Sequence, residues 1–486
     1  MHARIKPLET PGRMAPTDAL FWYAETALPS LRPIIAGLYV LDRPPRSDWI
    51  ERSYESLLAS VPRLRQRVVE APLGLAPPEW IEDPHFDRAY HQRHLSLAAP
   101  GGMSELLTLS AQLLATPLDR QRPLWEAYWI DGLDGGRTAY FFKIHHSCVD
   151  GVGSIALLEA LTQGAPDSPP PRVRKRDSRT RLLSPLPSTA SLVLDHLTSA
   201  FGFATEAARL PLRMFADPVG TRDQAARIIR GLQGVLADAG QSVIEDPLAR
   251  STSGLSRRLD VMQVPMARLC RIKDSLGVSL NDVVLAAFSA CLGAYHRERA
   301  VQVPVLNCMV PMNLRTASEK TELGNRVGVM NIVLPVGERR IGAMLQRIVD
   351  QTRRAKRDRR GAAYPFLIGV LGLMPAAVFG WMARQGLGRV NVACTNIPGL
   401  AEARYLAGAR IEAIYPFASV VEKTPLVMAL VSYAGTMDIG IDTDPEAIPD
   451  PHRISTLFLD ALRQLEELAR VEHGSRERDG GSGGLS

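Results

Sequence analysis

Between Thr138 and Gly153 the chain reads Thr-Ala-Tyr-Phe-Phe-Lys-Ile-His-His-Ser-Cys-Val-Asp-Gly-Val-Gly, and no other stretch limits the fold as much. Residues 138–144 are an apolar, aromatic-rich run, the pattern of a buried strand. Beyond it, Val152, Ile155, Leu158 and Leu161 fall at helical spacing and predict a helix packed by one face. Two histidines, an acid and a glycine therefore sit on a strand-to-helix turn. Neighbouring strand residues point to opposite faces, so His145 and His146 are badly placed to grip one metal ion, and no metal is expected. One ring should face a cleft and the other the core. A neutral imidazole, titrating near ~6.5 as a class, can take a proton from a hydroxyl. Asp150 suits accepting hydrogen bonds and an arginine, and Gly151 allows a backbone that other residues resist. The plainer alternative is a buried, hydrogen-bonded histidine pair with no chemistry.

Composition narrows the class. A chain of 486 residues can hold two or three domains. Its net charge of +6 favours anions such as phosphates or acidic lipid headgroups. No nucleic-acid-binding signature accompanies that charge, so nucleic acid is not an expected partner. Cys148, Cys270, Cys291, Cys308 and Cys394 are odd in number and widely spaced, which argues against a disulfide framework and for a reducing compartment. The opening residues lack an apolar signal core, so a cytoplasmic protein is expected.

The motif resembles the His-His-x-x-x-Asp-Gly signature of the CoA-dependent acyltransferase superfamily, which includes chloramphenicol acetyltransferase and peptide-synthetase condensation domains. Its surroundings are similar to the bacterial wax ester synthase/acyl-CoA:diacylglycerol acyltransferase family. Residues Pro117 to Glu126 (Pro-Leu-Asp-Arg-Gln-Arg-Pro-Leu-Trp-Glu) match that family's Pro-Leu-Asp and Pro-Leu-Trp block. Asp131-Gly132-Leu133, Asn281-Asp282-Val283-Val284, Val310-Pro311-Met312-Asn313-Leu314-Arg315 and Gly324-Asn325-Arg326 follow in order. Thr395-Asn396-Ile397-Pro398-Gly399 stands where the family usually has Ser-Asn-Val-Pro-Gly, and Ala15 to Phe21 also fits. The matches run from about residue 14 to 445.

What the resemblance implies is an α/β (α+β) protein of two chloramphenicol-acetyltransferase-like lobes. Each is a mostly β sheet with flanking helices, and a tunnel runs between them. The expected division is a first lobe over 1–165, a linker and crossover helices over 166–255, a second lobe over 256–472, and a disordered tail over 473–486. The stretch 169–181, proline-rich and strongly basic, carries the linker expectation. The implied reaction moves a long-chain acyl group from acyl-CoA, a substrate and not a cofactor, to a fatty alcohol or diacylglycerol. His146 would be the general base, with His145, Asp150 and Gly151 supporting the turn. Cys148 is a rival nucleophile, although a buried cysteine is usually just a small hydrophobe. A condensation-type amide synthase and a non-catalytic lipid-surface protein are the alternatives. The former's second-lobe Asp-Phe-Gly-Trp-Gly signature is absent.

Other candidates carry paired readings. In the wider superfamily an arginine near residue 65 pairs with the motif aspartate, which makes Arg65 or Arg67 the candidate partner of Asp150; solvated surface residues are the alternative. Asn281 reads as a helix N-cap with Asp282 in the first turn, either shaping the site or only capping a core helix. Thr395 and Asn396, at a strand tip, could stabilise an oxyanion or form a turn. Ser104 reads as the cap of a helix to about Ala115, and Trp125, Tyr128 and Trp129 as core. The basic run 353–360 suits a solvated helix end, CoA phosphates or an anionic membrane. The apolar run 366–382, broken by Pro375, is short for a bilayer span and suits core burial, an acyl channel or one leaflet of a membrane or lipid droplet.

Overall fold

The computed structural model describes residues 12–27, 31–70, 78–170, 244–249, 255–313, 327–357, 389–418 and 423–481. In chain order the first lobe holds α1 (Pro16–Ala27), β1 (Ile34–Leu41), α2 (Ser47–Ser60), β2 (Gln66–Val69), β3 (Glu79–Glu82), α3 (Arg88–His91) and β4 (Gln92–Ser96). It continues with α4 (Met103–Ala115), β5 (Trp125–Leu133), β6 (Arg137–His145) and α5 (Gly151–Leu161). The second lobe holds β7 (Arg258–Pro265), α6 (Met266–Leu276), α7 (Leu280–Glu298), β8 (Leu306–Asn313), β9 (Val327–Leu334), α8 (Ile341–Arg357) and β10 (Val392–Ile397). After these come β11 (Tyr405–Leu406), β12 (Ala409–Ala418), β13 (Leu426–Tyr433), β14 (Thr436–Thr443) and α9 (Pro451–Gly481).

Among the described residues two six-stranded sheets, ordered β11-β12-β1-β6-β5-β4 and β7-β14-β13-β10-β8-β9, form the two lobes; β2 and β3 make a separate hairpin. β5 and β6 are central and buried on both faces, which is why they read as continuous apolar runs and not as alternating ones. Trp125, Tyr128 and Trp129 are core, as expected. A buried ion pair interrupts this core. Lys143 is wholly buried, and its Nζ meets Glu126 Oε2 at 2.8 Å and the carbonyls of Leu113 and Thr116 at 2.9 Å. Three acceptors for three ammonium donors make the buried charge tolerable. In the second lobe α7 is apolar all round because it packs against α6, α8 and α9 at once.

The lobes are joined by strand exchange. β11 and β12 lie in the chain between β10 and β13 of the second sheet, yet β12 pairs with β1 of the first, Ile35 opposite Ala418. Residues 405–418, inside the range expected for the second lobe, thus complete the first lobe's sheet.

Some local expectations are corrected. Ser279, not Asn281, caps α7. A hydroxyl one turn ahead of the apolar run closes a capping box with Asp282, which leaves Asn281 inside the first turn. Gly102, not Ser104, starts α4, because Glu105 Oε2 reaches back to the Gly102 N–H at 2.9 Å. α9 runs to Gly481, past Gly474 where a disordered tail was expected, since the Glu- and Arg-rich sequence carries the helix on. Within the linker, apolar, glycine-turn and basic stretches singled out above, residues 171–181, 366–382, 324–326 and 358–360 lie outside the described residues. Among the described residues no single helix is long and apolar enough to cross a membrane. All five cysteines are free.

Candidate active site

β6 ends at His145 and α5 starts at Gly151, so the motif forms the connecting turn. Asp150 caps α5 and its Oδ1 accepts from the Gly153 N–H at 2.7 Å; the residue is fully buried. It spends its charge where helix N-termini present free N–H groups. Gly151 is not at a positive φ, contrary to expectation. What its position demands is space, because an added Cβ would stand 3.0 Å from Ile397 Cδ1. That contact brings the turn against the end of β10 in the other lobe.

The two rings part as strand alternation requires. His145 is 1% exposed and lies edge-on to Trp22, with ring centroids 6.0 Å apart. Its Nδ1 is 2.7 Å from Ser147 Oγ and 3.1 Å from the Ser147 backbone N. A backbone N–H can only donate, so Nδ1 accepts and the ring proton sits on Nε2. Nε2 points toward Glu25 Oε2 at 3.6 Å. Burial alone would raise the Glu25 carboxyl, but His145, Arg120 and Arg32 outweigh it and hold it below its ordinary range. His146 is partly exposed. Its ring stacks on Phe21 at 4.0 Å with 11° between planes, and its backbone N–H donates to the Pro33 carbonyl at 2.6 Å.

Cys148 is buried, and that burial pushes its thiol up to about 12. A thiol so disfavoured as thiolate is no nucleophile. Of the arginines, Arg65 Nε faces Glu82 at 3.2 Å, and Arg67 lies on β2 opposite Ile81. The buried one is Arg63, 5% exposed, stacked over Trp80 at 4.1 Å and pushed down to about 10 by burial against the pull of Cys148 and Asp18. The sequence offered three arginines on alternate residues, and only packing selects among them.

Within the second lobe, Asn396 Nδ2 donates to Asn281 Oδ1 at 2.7 Å, so β10 and α7 bring two of the candidate residues together beside Ile397. Thr395, one residue earlier on β10, lies opposite Ala429 of β13. Asp282 is turned away from the site. It is buried, its Oδ2 takes the Ser279 N–H and Oγ, and its Oδ1 takes Thr352 Oγ1 at 2.7 Å. Among the described residues no three His, Cys, Asp or Glu side chains cluster to hold a metal ion.

The wax ester synthase/diacylglycerol acyltransferase catalytic-domain family model matches residues 14–284, and the C-terminal domain model of the same family matches residues 323–466. A Mycobacterium tuberculosis protein bearing the name diacylglycerol O-acyltransferase is 28% identical over 477 residues, 96% of this chain and 93% of its own. A second protein of that name and organism is 29% identical over 478 residues, covering 93% and 99%. Among solved structures, the wax ester synthase/diacylglycerol acyltransferase from Marinobacter aquaeolei VT8 superposes with a TM-score of 0.65 at 23% identity, over 94% of this chain and 100% of that one. The first condensation domain of the CDA synthetase has the same two-lobe architecture, with a TM-score of 0.57 at 17% identity, covering 95% and 96%. With both domain models matched in order and the histidine motif inside the first, the chain belongs to the wax ester synthase/diacylglycerol acyltransferase family of acyltransferases.

Proposed function

We propose that this enzyme moves a long-chain acyl group from acyl-CoA to a hydrophobic alcohol, a fatty alcohol or a diacylglycerol, with His146 as general base. One observation carries the choice of base. His145 is buried and engaged by Ser147 and Glu25, whereas His146 is only partly buried and lies on the turn whose Gly151 meets Ile397 of the other lobe. His146 takes the hydroxyl proton as the alcohol oxygen attacks the thioester carbonyl. The tetrahedral intermediate then expels CoA thiolate, which recovers the proton from the imidazolium. Two substrates held in one tunnel between the lobes need no acyl-enzyme, since orientation alone is worth a large share of the barrier. The Asn281 and Asn396 amides and the Thr395 hydroxyl, around the Ile397 that meets Gly151, are the proposed oxyanion donors, and one well-aimed donor contributes about 3–4 kcal/mol. Arg65 or Arg67 is the proposed partner of Asp150, while Arg63, buried over Trp80, packs nearby.

Acceptors this insoluble reside at a lipid surface, so the enzyme works peripherally, at the inner membrane face or on lipid inclusions. Exposed Arg340, Arg347, Arg353 and Arg354 on and before α8 supply attraction to anionic headgroups. The test is thiol release from palmitoyl-CoA with hexadecanol or dioleoylglycerol, wild type beside His146→Ala. Alcohol-dependent release that falls by about a hundredfold or more in a folded His146→Ala protein is expected. Undiminished release in that variant, or none in wild type with either acceptor, rejects the reading.

A further inference from the structure

The segment Ala15 to Phe21 matched the family pattern without acquiring a role, and it lies at the start of α1. Asp18, Phe21, Trp22 and Glu25 fall at i, i+3, i+4 and i+7, one face of a helix. That face meets the motif turn. Phe21 stacks on His146, Trp22 lies edge-on to His145, and Glu25 faces His145 Nε2. We propose that α1 is a positioning element of the acyltransferase site, in which Phe21 holds the plane of the His146 ring and Glu25 holds the tautomer of His145. The inference rests on His146 being the base.

Phe21 differs from an ordinary core residue. Trp22 is 2% exposed, but Phe21 is only partly buried and spends a face on the imidazole. Rotation of a histidine ring about its second side-chain torsion is broad and weakly restricted. A coplanar phenyl at 4.0 Å removes that freedom and so fixes the direction in which the basic nitrogen points. A base must come within about 2.6–3.2 Å of the hydroxyl, and an error of about 1 Å costs on the order of a hundredfold.

Glu25 is held in turn. Arg120 Nη1 lies 3.4 Å from its Oε2, donates to Thr26 Oγ1 at 2.9 Å and stacks over Trp22 at 3.6 Å. Trp22 Nε1 donates to Glu70 Oε1 at 2.6 Å, and Arg120 Nη2 reaches the same oxygen at 3.3 Å. This brace keeps a carboxylate 3.6 Å from Nε2, which adds to the Ser147 N–H at Nδ1 in favouring the Nε2–H form of His145. An anchored His145 fixes the backbone from which His146 projects.

The experiment measures kcat and KM for palmitoyl-CoA with hexadecanol in Phe21→Leu, Phe21→Tyr, Glu25→Leu, Glu25→Gln and His146→Ala, with a thermal melt of each. Phe21→Leu, which keeps apolar bulk but no ring, should lower kcat by about tenfold or more while KM stays within about twofold. Phe21→Tyr restores a ring and should recover most of the loss. In protein labelled with 15N-histidine, His145 should be the Nε2–H tautomer in wild type and Glu25→Gln, and a mixture in Glu25→Leu. A folded Phe21→Leu with kcat within about twofold of wild type overturns the role of Phe21. An unchanged His145 tautomer in Glu25→Leu overturns that of Glu25, and decides the matter if Phe21→Leu does not fold. An active His146→Ala would sink the base assignment instead, so the two failures are distinguishable.

Discussion

Cys148 stands two residues from His146, yet its side chain is enclosed and its thiol pushed up to about 12 by that enclosure. Cys148→Ala should therefore keep transferase activity within about twofold and cost about 1 kcal/mol of stability, the order for losing one buried heavy atom. Peptide mapping after iodoacetamide treatment of the folded enzyme at pH 8 should find Cys148 unlabelled. Labelling accompanied by loss of thiol release would reinstate a covalent route. At this scale the motif was legible because its chemistry is local, with strand, turn and helix adjacent in sequence. Arg63 was not, since whether residue 63, 65 or 67 turns inward depends on the contact with Trp80, which the short helical turn at Pro62–Arg65 sets up. Glu25 and Phe21 were hidden likewise. Their helical spacing could be read, but not the partner, which lies about 120 residues away in the chain.

At the scale of elements, α7 carries two neighbouring polar residues with different tasks. Asp282 closes the helix start and accepts Thr352 Oγ1, whereas Asn281 reaches across to Asn396 on β10. Asp282→Ala removes a cap and strands buried donors, for which about 2–3 kcal/mol of lost stability is the scale. Asn281→Ala touches a solvent-accessible amide pair and should cost less than about 1 kcal/mol while lowering kcat about tenfold or more. Melting curves and steady-state kinetics on the pair separate the roles. Equal effects on stability would show that Asn281, too, is only scaffolding. The sequence marked both residues but misassigned the cap, because Ser279 and Asn281 are equally good cap types and only backbone geometry distinguishes them.

At the scale of the whole molecule, the two-lobe arrangement followed from the resemblance, but the strand exchange did not. The second half of β12 is buried on both faces because the strand pairs with β1 and also packs on β13 and β14. No local pattern records a partner more than 370 residues away. The joint is pinned by one buried acid. Asp438 on β14 accepts from the Ile414 N–H of β12 at 2.7 Å, from Gln263 Nε2 at 2.8 Å and from Thr436 Oγ1 at 2.8 Å. Burial raises its carboxyl above the ordinary range, and these three donors only partly offset that. In the window between the unfolded value, near ~3.9, and the raised folded value, the native chain binds more protons than the unfolded one. This group's contribution to stability is therefore complete at the acidic end, declines as pH rises through the window, and is flat above it. Asp438→Asn brings an amide NH2 toward donors and should destabilise the fold by about 1–3 kcal/mol. Because the amide does not titrate, the gap in melting temperature between wild type and variant should be largest near pH 4 and narrow toward neutrality. A gap that widened with pH would mean that the joint favours the carboxylate, and that hydrogen bonding, not burial, governs the contact between the lobes.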